Sequence, residues 1–251
     1  MRIISVINYK GGTGKTSTVV HLAHGLARKG YRILIIDVDP QGSAGYHLGV
    51  QVTRSLYDLI AKKEDLLNCI VPARENLDII CANEHLFPAE MVMTKLQERE
   101  LILTHRMQAL NGYDFVLLDC APSMSLLNQN ALLYSNELIV PVSMEYFSLV
   151  GVKQLLKNIK IVNKLFKKNV IIKMVVPTFF DKRNKKSKDI IESIRRVFYK
   201  KVATPIRSSV ALSEAPGARK TVFEYAPKST GAQDYTNLVQ EVIESGSTTT
   251  V

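Results

Sequence analysis

The chain has 251 residues, 46% of them hydrophobic, and a formal net charge of +10. That is enough apolar content for a full core, and α/β folds of this length are usually one domain, so residues 1–251 are expected to form a single domain. The longest apolar runs are strand length, which excludes a membrane-spanning helix. MRIISVINYK lacks the basic, apolar and small-residue order of a secretory signal, and Cys69, Cys81 and Cys120 are too far apart for a disulfide framework or a metal knuckle. A reducing cytoplasm is the expected compartment.

In chain order, RIISVIN (2–8) predicts a β-branched strand that runs into NYKGGTGKTS (8–17). This loop ends in Gly14-Lys15-Thr16, as a phosphate-binding loop requires. The usual opening glycine is replaced by Tyr9, and a second cation, Lys10, follows it. Gly11, Gly12, Thr13 and Gly14 let the backbone curl with its N–H groups inward. The helix that follows, through Ser17 and onward, adds its dipole. Lys15 is assigned to the β- and γ-phosphates, and the Thr16 hydroxyl to Mg²⁺. Residues 15–29 place Val19, Leu22, Ala23, Leu26 and Ala27 on one helical face, and Gly30 stops the helix.

YRILIID (31–37) predicts a second strand, followed by a turn-rich loop through Gly49. Asp37 ends that strand. Asp39, just beyond it, is expected near the γ-phosphate, where a carboxylate orients the attacking water. LDIICA (77–82), DFVLLD (114–119), ELIVPV (137–142) and VIIKMVV (170–176) repeat the strand pattern. Helices are expected near 88–110, 125–135, 148–168, 187–199 and 230–244. Continuous apolar strands imply that both sheet faces are covered, and alternation with helices implies parallel pairing. The expected fold is α/β: one doubly wound, mostly parallel sheet with helices on both faces and ligands at the carboxyl ends of the strands. Asp119, ending the strand at 114–119, is the expected carboxylate for Mg²⁺, with Asp39 beside it, both acting through water.

Charge is uneven. Residues 1–150 carry 13 Lys/Arg against 15 Asp/Glu, whereas residues 151–228 carry 20 against 5. Lys153, Lys157, Lys160 and Lys164 recur at helical spacing on one stripe, and no acid occurs between Glu145 and Asp181. Lys182, Arg183, Lys185, Lys186, Arg195, Arg196, Arg219 and Lys220 extend the basic set. A self-repelling stripe of this kind suits a polyanion, and DNA phosphate is the expected partner.

KGGTGKT, DVDPQGSA and DCAPS, together with SVALSEAPGARKTVFEYAPKSTGAQDY (209–235), resemble the ParA/MinD family of deviant phosphate-loop ATPases, and its ParA/Soj branch in particular. The likeness spans essentially the whole chain. It implies ATP and Mg²⁺ as cofactors and an ATP-dependent homodimer in which each Lys10 serves the phosphates of the other subunit. It also implies a switch at Asp119–Pro122 and adenine contacts from Pro177 and from Pro205, Ile206 and Arg207. Non-specific double-stranded DNA is an implied partner, with Arg219-Lys220 among the contacts and a nucleoid association in the cell. Slow hydrolysis stimulated by a cargo-linked partner, ParB-like or an adaptor, is implied as well. The implied cargo is a plasmid or chromosome complex, or a protein body such as a carboxysome.

Three rivals carry less. A MinD-like membrane positioner ends in a basic amphipathic helix, whereas this chain ends EVIESGSTTTV. An iron-protein-like enzyme needs a cysteine pair to bridge its cluster, and Cys120 has no neighbour in sequence. No substrate motif supports a metabolic ligase.

Overall fold

The computed structural model describes residues 1–247. The last four residues, part of the polar tail weighed against a membrane helix, lie outside the described residues. Seven strands form one sheet: β1 (Arg2–Val6), β2 (Ile33–Asp37), β3 (Val71–Arg74), β4 (Leu77–Ile80), β5 (Phe115–Asp119), β6 (Glu137–Ser143) and β7 (Ile171–Thr178). Their order is β3-β4-β2-β5-β1-β6-β7. All pairs are parallel except β3–β4, which is an antiparallel hairpin.

The helices alternate with the strands. The phosphate loop leads into α1 (Lys15–Ala27). Then come α2 (Ser43–Leu48), α3 (Leu56–Ala61), α4 (Leu66–Cys69), α5 (Leu86–Met93) and α6 (Ile102–Arg106). After β5 follow α7 (Leu126–Tyr134), α8 (Ser148–Phe166), α9 (Lys185–Phe198), α10 (Val210–Glu214), α11 (Val222–Tyr225) and α12 (Thr230–Ser247). Strand side chains alternate between two cores because successive Cβ atoms point to opposite faces. Ile33 and Ile35 join α1, α2, α11 and α12 on one face, while Leu34 and Ile36 join α3 through α9 on the other. Each fully buried Leu or Ile contributes about 2 kcal/mol. Among the described residues, no helix is long and apolar enough to cross a membrane.

Three local expectations need correction. The turn-rich loop before Gly49 holds α2, which is braced at its start by Ala44 N–H donating to Asp37 Oδ2 at 3.0 Å. The single helix expected at 88–110 is broken: α5 ends at Met93, Glu98 adopts φ 50°, and a 3₁₀ turn (Arg99–Leu101) precedes α6. Met93 and Ile102 are both buried but nine positions apart, so a continuous helix would put them on opposite sides. β3 went unread because Pro72 lies within a four-residue run; Pro is tolerated there because β3 is an edge strand.

Candidate functional site: a phosphate loop beside two buried carboxylates

The phosphate loop joins β1 to α1. Gly12 (φ 68°) and Gly14 (φ 84°) occupy left-handed backbone that a side chain would strain. Gly14 also faces β7: an added Cβ would lie 3.6 Å from Thr178 Cγ2 and 3.7 Å from Phe179 Cε2. Thr178 Oγ1 donates to Thr13 O at 2.8 Å, tying the loop to the end of β7. Lys15 is buried, and its Nζ donates to Lys10 O at 3.2 Å. Burial lowers the Lys15 pKa, opposed by the charges of Asp119, Cys120 and Asp39. Gly11 and Gly12 are exposed and Thr16 and Ser17 are half-buried, so the cradle opens to the surface.

Strand order decides what stands beside it. Asp119 pairs in register with Val6 on one side and Asp37 on the other. Both carboxylates are fully buried at adjacent strand ends. Asp37 is spent on structure: it accepts from Asp39 N at 3.1 Å and from Ala44 N at 3.0 Å, shaping the loop that carries Asp39. The two Asp119 oxygens have no hydrogen-bond partner. Burial pushes the Asp119 pKa up to about 7, against the pull of the Thr16 hydroxyl and Lys15, although that hydroxyl completes no hydrogen bond. Asp37 is pushed up as well, by burial first and then by the charge of Asp119. An orphaned buried carboxylate facing Thr16 fits a hard divalent cation, which takes oxygen ligands and neutralises such a pair. Among the described residues no cluster of three His, Cys, Asp or Glu could hold a metal ion. Thr16, Asp39 and Asp119 are the residues at this loop whose oxygens could contribute to holding such an ion.

Two residues missed from sequence hold the segment after β5 and the start of α7. Asn128 on α7 accepts from Ala121 N at 3.1 Å and donates to Ala121 O at 2.7 Å and Ser123 O at 2.6 Å. Glu90 on α5 accepts from Leu126 N and Leu127 N, capping α7. The only sequence signal for Asn128 was its place on the buried face of a short helix. Cys69, Cys81 and Cys120 are all buried and free.

Beside Gly14 and Ser17 opens a mainly apolar cleft of about 580 Å³, lined in part by Phe179, Ile206, Arg207, Val210, Leu212 and Tyr235. Of the four expected adenine contacts, Ile206 and Arg207 line this cleft. Pro177 and Pro205 do not: Pro177 is buried in β7, where its carbonyl accepts from Ile206 N at 2.8 Å. Arg207 is oriented by buried Asp234 on α12, at 2.6 Å.

Lys153, Lys157, Lys160 and Lys164 lie exposed along α8, and Arg195 and Arg196 are exposed on α9, which packs on the same face. Among the described residues none of the four lysines has a carboxylate within ion-pair distance. Lys182 and Lys185 are exposed too, whereas Arg183 pairs with Asp181 at 2.9 Å, Lys186 with Glu145 at 3.5 Å and Arg196 with Glu192 at 3.9 Å. Arg219 and Lys220 are not brought to this patch. Arg74 of β3 donates to Arg219 O at 3.1 Å, which places that loop at the far edge of the sheet from β7. Six strand spacings amount to about 30 Å.

Three histidines that sequence reading passed over are buried behind the loop. His21 lies edge-on to His47 at 5.1 Å and to Tyr235 at 4.7 Å. His47 Nε2 donates to Lys220 O at 3.2 Å, and His24 Nδ1 bonds Thr221 Oγ1 at 2.6 Å. Burial lowers all three pKa values, that of His47 to about 4. Their neutral forms are favoured by folding, so their contribution is complete above the unfolded value near 6.5 and is lost as pH falls toward the folded values. The raised Asp37 and Asp119 act oppositely over part of that window, so a difference measurement isolates His47. Between roughly pH 7.5 and pH 5, wild type is expected to lose about 1–2 kcal/mol more stability than His47→Gln. Urea denaturation at the two pH values checks this.

A family model described as AAA domain matches residues 1–172. The sporulation initiation inhibitor protein Soj of Bacillus subtilis (strain 168) is 38% identical over 251 residues, covering 98% of this chain and 99% of that one. The chromosome partitioning protein ParA of Caulobacter vibrioides (strain NA1000 / CB15N) is 35% identical, covering 97% and 94%. The chain belongs to the Soj/ParA family of chromosome-partitioning ATPases. A solved structure of cobyrinic acid a,c-diamide synthase from Mycobacterium smegmatis, with bound ADP and magnesium, superposes with a TM-score of 0.86 at 27% identity, covering 99% of this chain and 96% of that one.

Proposed function

We propose that this chain is a ParA-type ATPase that dimerises on binding ATP and Mg²⁺, coats DNA without sequence preference, and moves or spaces a cargo through partner-stimulated hydrolysis. The observation that carries the reading is the phosphate loop with a second lysine, Lys10, set beside the buried and unpartnered Asp119. Lys15 and the loop N–H groups hold the phosphates. Thr16, Asp39 and Asp119 hold Mg²⁺, which supplies charge neutralisation at the β- and γ-phosphates. Asp39, half-exposed on the loop that Asp37 shapes, orients the attacking water. Each Lys10 serves the neighbouring subunit's phosphates. Ile206 and Arg207 border the adenine. The exposed lysines of α8 with Arg195 meet DNA phosphates, and dimerisation doubles those contacts, which makes DNA binding depend on ATP. Arg219 and Lys220, at the other edge of the sheet, form a second contact zone. The stimulating partner is ParB-like or an adaptor, and the cargo is a replicon complex or a protein body. The protein acts in the cytoplasm on the nucleoid.

Fluorescence anisotropy with random duplex DNA tests the reading. Affinity is expected to need ATP and to fall by roughly 10³-fold or more between about 50 and 200 mM salt. Reversing Lys153, Lys157, Lys160 and Lys164 to glutamate is expected to weaken binding uniformly across sequences and to flatten the salt slope. Nucleotide-independent binding, or a flat salt response, would sink the DNA reading. Liposome co-sedimentation separates it from a MinD-like membrane role.

A further inference from the structure

We infer that Arg74 is a positioning residue for DNA: with Glu224 it clamps the loop that displays Arg219 and Lys220, so that this cation pair meets duplex phosphate already in place. This rests on the DNA reading proposed above.

Arg219 is the residue that needs an explanation. It is not glycine, yet its backbone sits at φ 55°, a left-handed conformation that strains a residue carrying a Cβ. Such strain persists only where the surroundings over-determine it. Here they do. Arg219 N donates to Pro216 O at 3.0 Å, and Lys220 N donates to Ala215 O at 3.1 Å. Arg219 O accepts from Arg74 Nη2 at 3.1 Å, and Lys220 O accepts from buried His47 at 3.2 Å. Thr221 closes the loop: its N–H donates to Glu224 Oε2 at 2.7 Å, and its hydroxyl bonds His24 at 2.6 Å. Every backbone donor and acceptor of residues 219 and 220 is thus engaged. The stem of Arg219 lies against Gly49, where an added Cβ would fall 3.0 Å from Arg219 Cβ. Its guanidinium sits 5.8 Å from the centre of the Tyr46 ring.

Arg74, at the end of β3, joins three segments. Its Nε and Nη2 donate to the two Glu224 oxygens at 2.6 and 3.3 Å, Nη1 donates to Leu48 O at 3.1 Å, and Nη2 also reaches Arg219 O. A planar guanidinium supplies those directions at once, whereas an ammonium cannot. The clamp also occupies the local acid. Glu224 is taken by Arg74 and by Thr221 N, and Glu214 accepts from the Tyr225 hydroxyl at 2.9 Å. Arg219 and Lys220 are exposed, and among the described residues neither has a carboxylate within ion-pair distance. Two adjacent cations on a fixed backbone, without an acid partner, suit closely spaced phosphates. Fixing the loop beforehand lowers the ordering cost of contact.

The test is fluorescence anisotropy of the full chain with random duplex DNA, ATP and Mg²⁺, well below the melting temperature of each variant. Glu224→Ala removes an acid, so charge alone would tighten binding. Loss of the clamp is instead expected to weaken it by roughly tenfold, since both loops of a dimer are affected. Arg74→Lys keeps the charge and is expected to weaken binding to a similar degree, with the salt slope nearly unchanged because the phosphates contacted are the same. Glu224→Gln keeps the cap on Thr221 and an acceptor for Arg74, and is expected to restore the affinity. If Glu224→Ala does not fold, Arg74→Lys carries the test. A merely structural clamp would lower the melting temperature and leave DNA affinity as it was. Unchanged or tighter binding in either folded variant, Glu224→Ala or Arg74→Lys, overturns the positioning role and leaves the function standing. A wild-type chain that does not bind DNA with ATP overturns both.

Discussion

Lys10→Ala is expected to abolish the ATP-dependent dimer while leaving ATP binding by the single subunit largely intact. The phosphate cradle within one chain is made by the loop backbone, Lys15 and Thr16, and Lys10 contributes to it only a carbonyl that accepts from Lys15 Nζ at 3.2 Å. Alanine keeps that carbonyl. What disappears is a cation that would meet phosphate charge across a desolvated interface. Truncating one member of such a charged pair costs about 2–5 kcal/mol, and a two-fold dimer contains two. A loss of roughly 10³-fold or more in dimer affinity follows, read by sedimentation with and without ATP. Turnover stimulated by the partner is expected to fall with it, since the proposed active form is the dimer. A Lys10→Arg variant keeps the charge but not the compact shape, and is expected to recover only part of the affinity.

Asp119→Asn is expected to move stability and activity in opposite directions. In the nucleotide-free chain the Asp119 carboxylate is fully buried, unpartnered and adjacent to Asp37. Its folded pKa of about 7 lies above the ordinary carboxylate value. A raised carboxylate favours the protonated folded form, so stability declines as pH rises from about 4 to about 7 and stays reduced above that. Asparagine removes the ionisation. At about pH 8 the nucleotide-free variant is expected to be more stable by about 2 kcal/mol, the gain being trimmed by the unpaired amide. Mg²⁺-dependent hydrolysis is expected to fall by about 10²-fold or more, because the carboxylate kept at a stability cost is the one that fits the ion. Urea denaturation without nucleotide and phosphate release with it give the two readouts. A variant that loses both stability and activity would mean that Asp119 is an ordinary structural acid.

These two residues show how much was legible in the chain. Lys10 and Asp119 stand in motifs whose meaning is local: a glycine-rich turn, a lysine beside it, a carboxylate after an apolar run. The cradle Gly11–Ser17, the six parallel strands and the stripe on α8 were read for the same reason, since backbone conformation and side-chain periodicity are set by neighbours within a few residues. The misses share the opposite property. Asn128 and Glu90 act on backbone groups of the segment after β5 and of the next helix, and nothing in their own surroundings marks them. The broken helix after α5 failed as a prediction because two buried stretches face different parts of the core.

By itself, then, the sequence determined a phosphate loop with a surplus lysine, carboxylates at strand ends, and an excess of cations in one stretch. Tertiary structure alone decided that Asp37 and Asp119 would be neighbours, since that follows from β5 lying between β1 and β2. It also decided that Ser148 would hold Lys10 across a sequence separation of 138 residues. And it divided the basic set, leaving the α8 and α9 cations beside β7 and Arg219-Lys220 beside β3. Composition counts charges, but strand order and helix packing distribute them in space, and both are outcomes of burying two cores at once rather than of any local pattern.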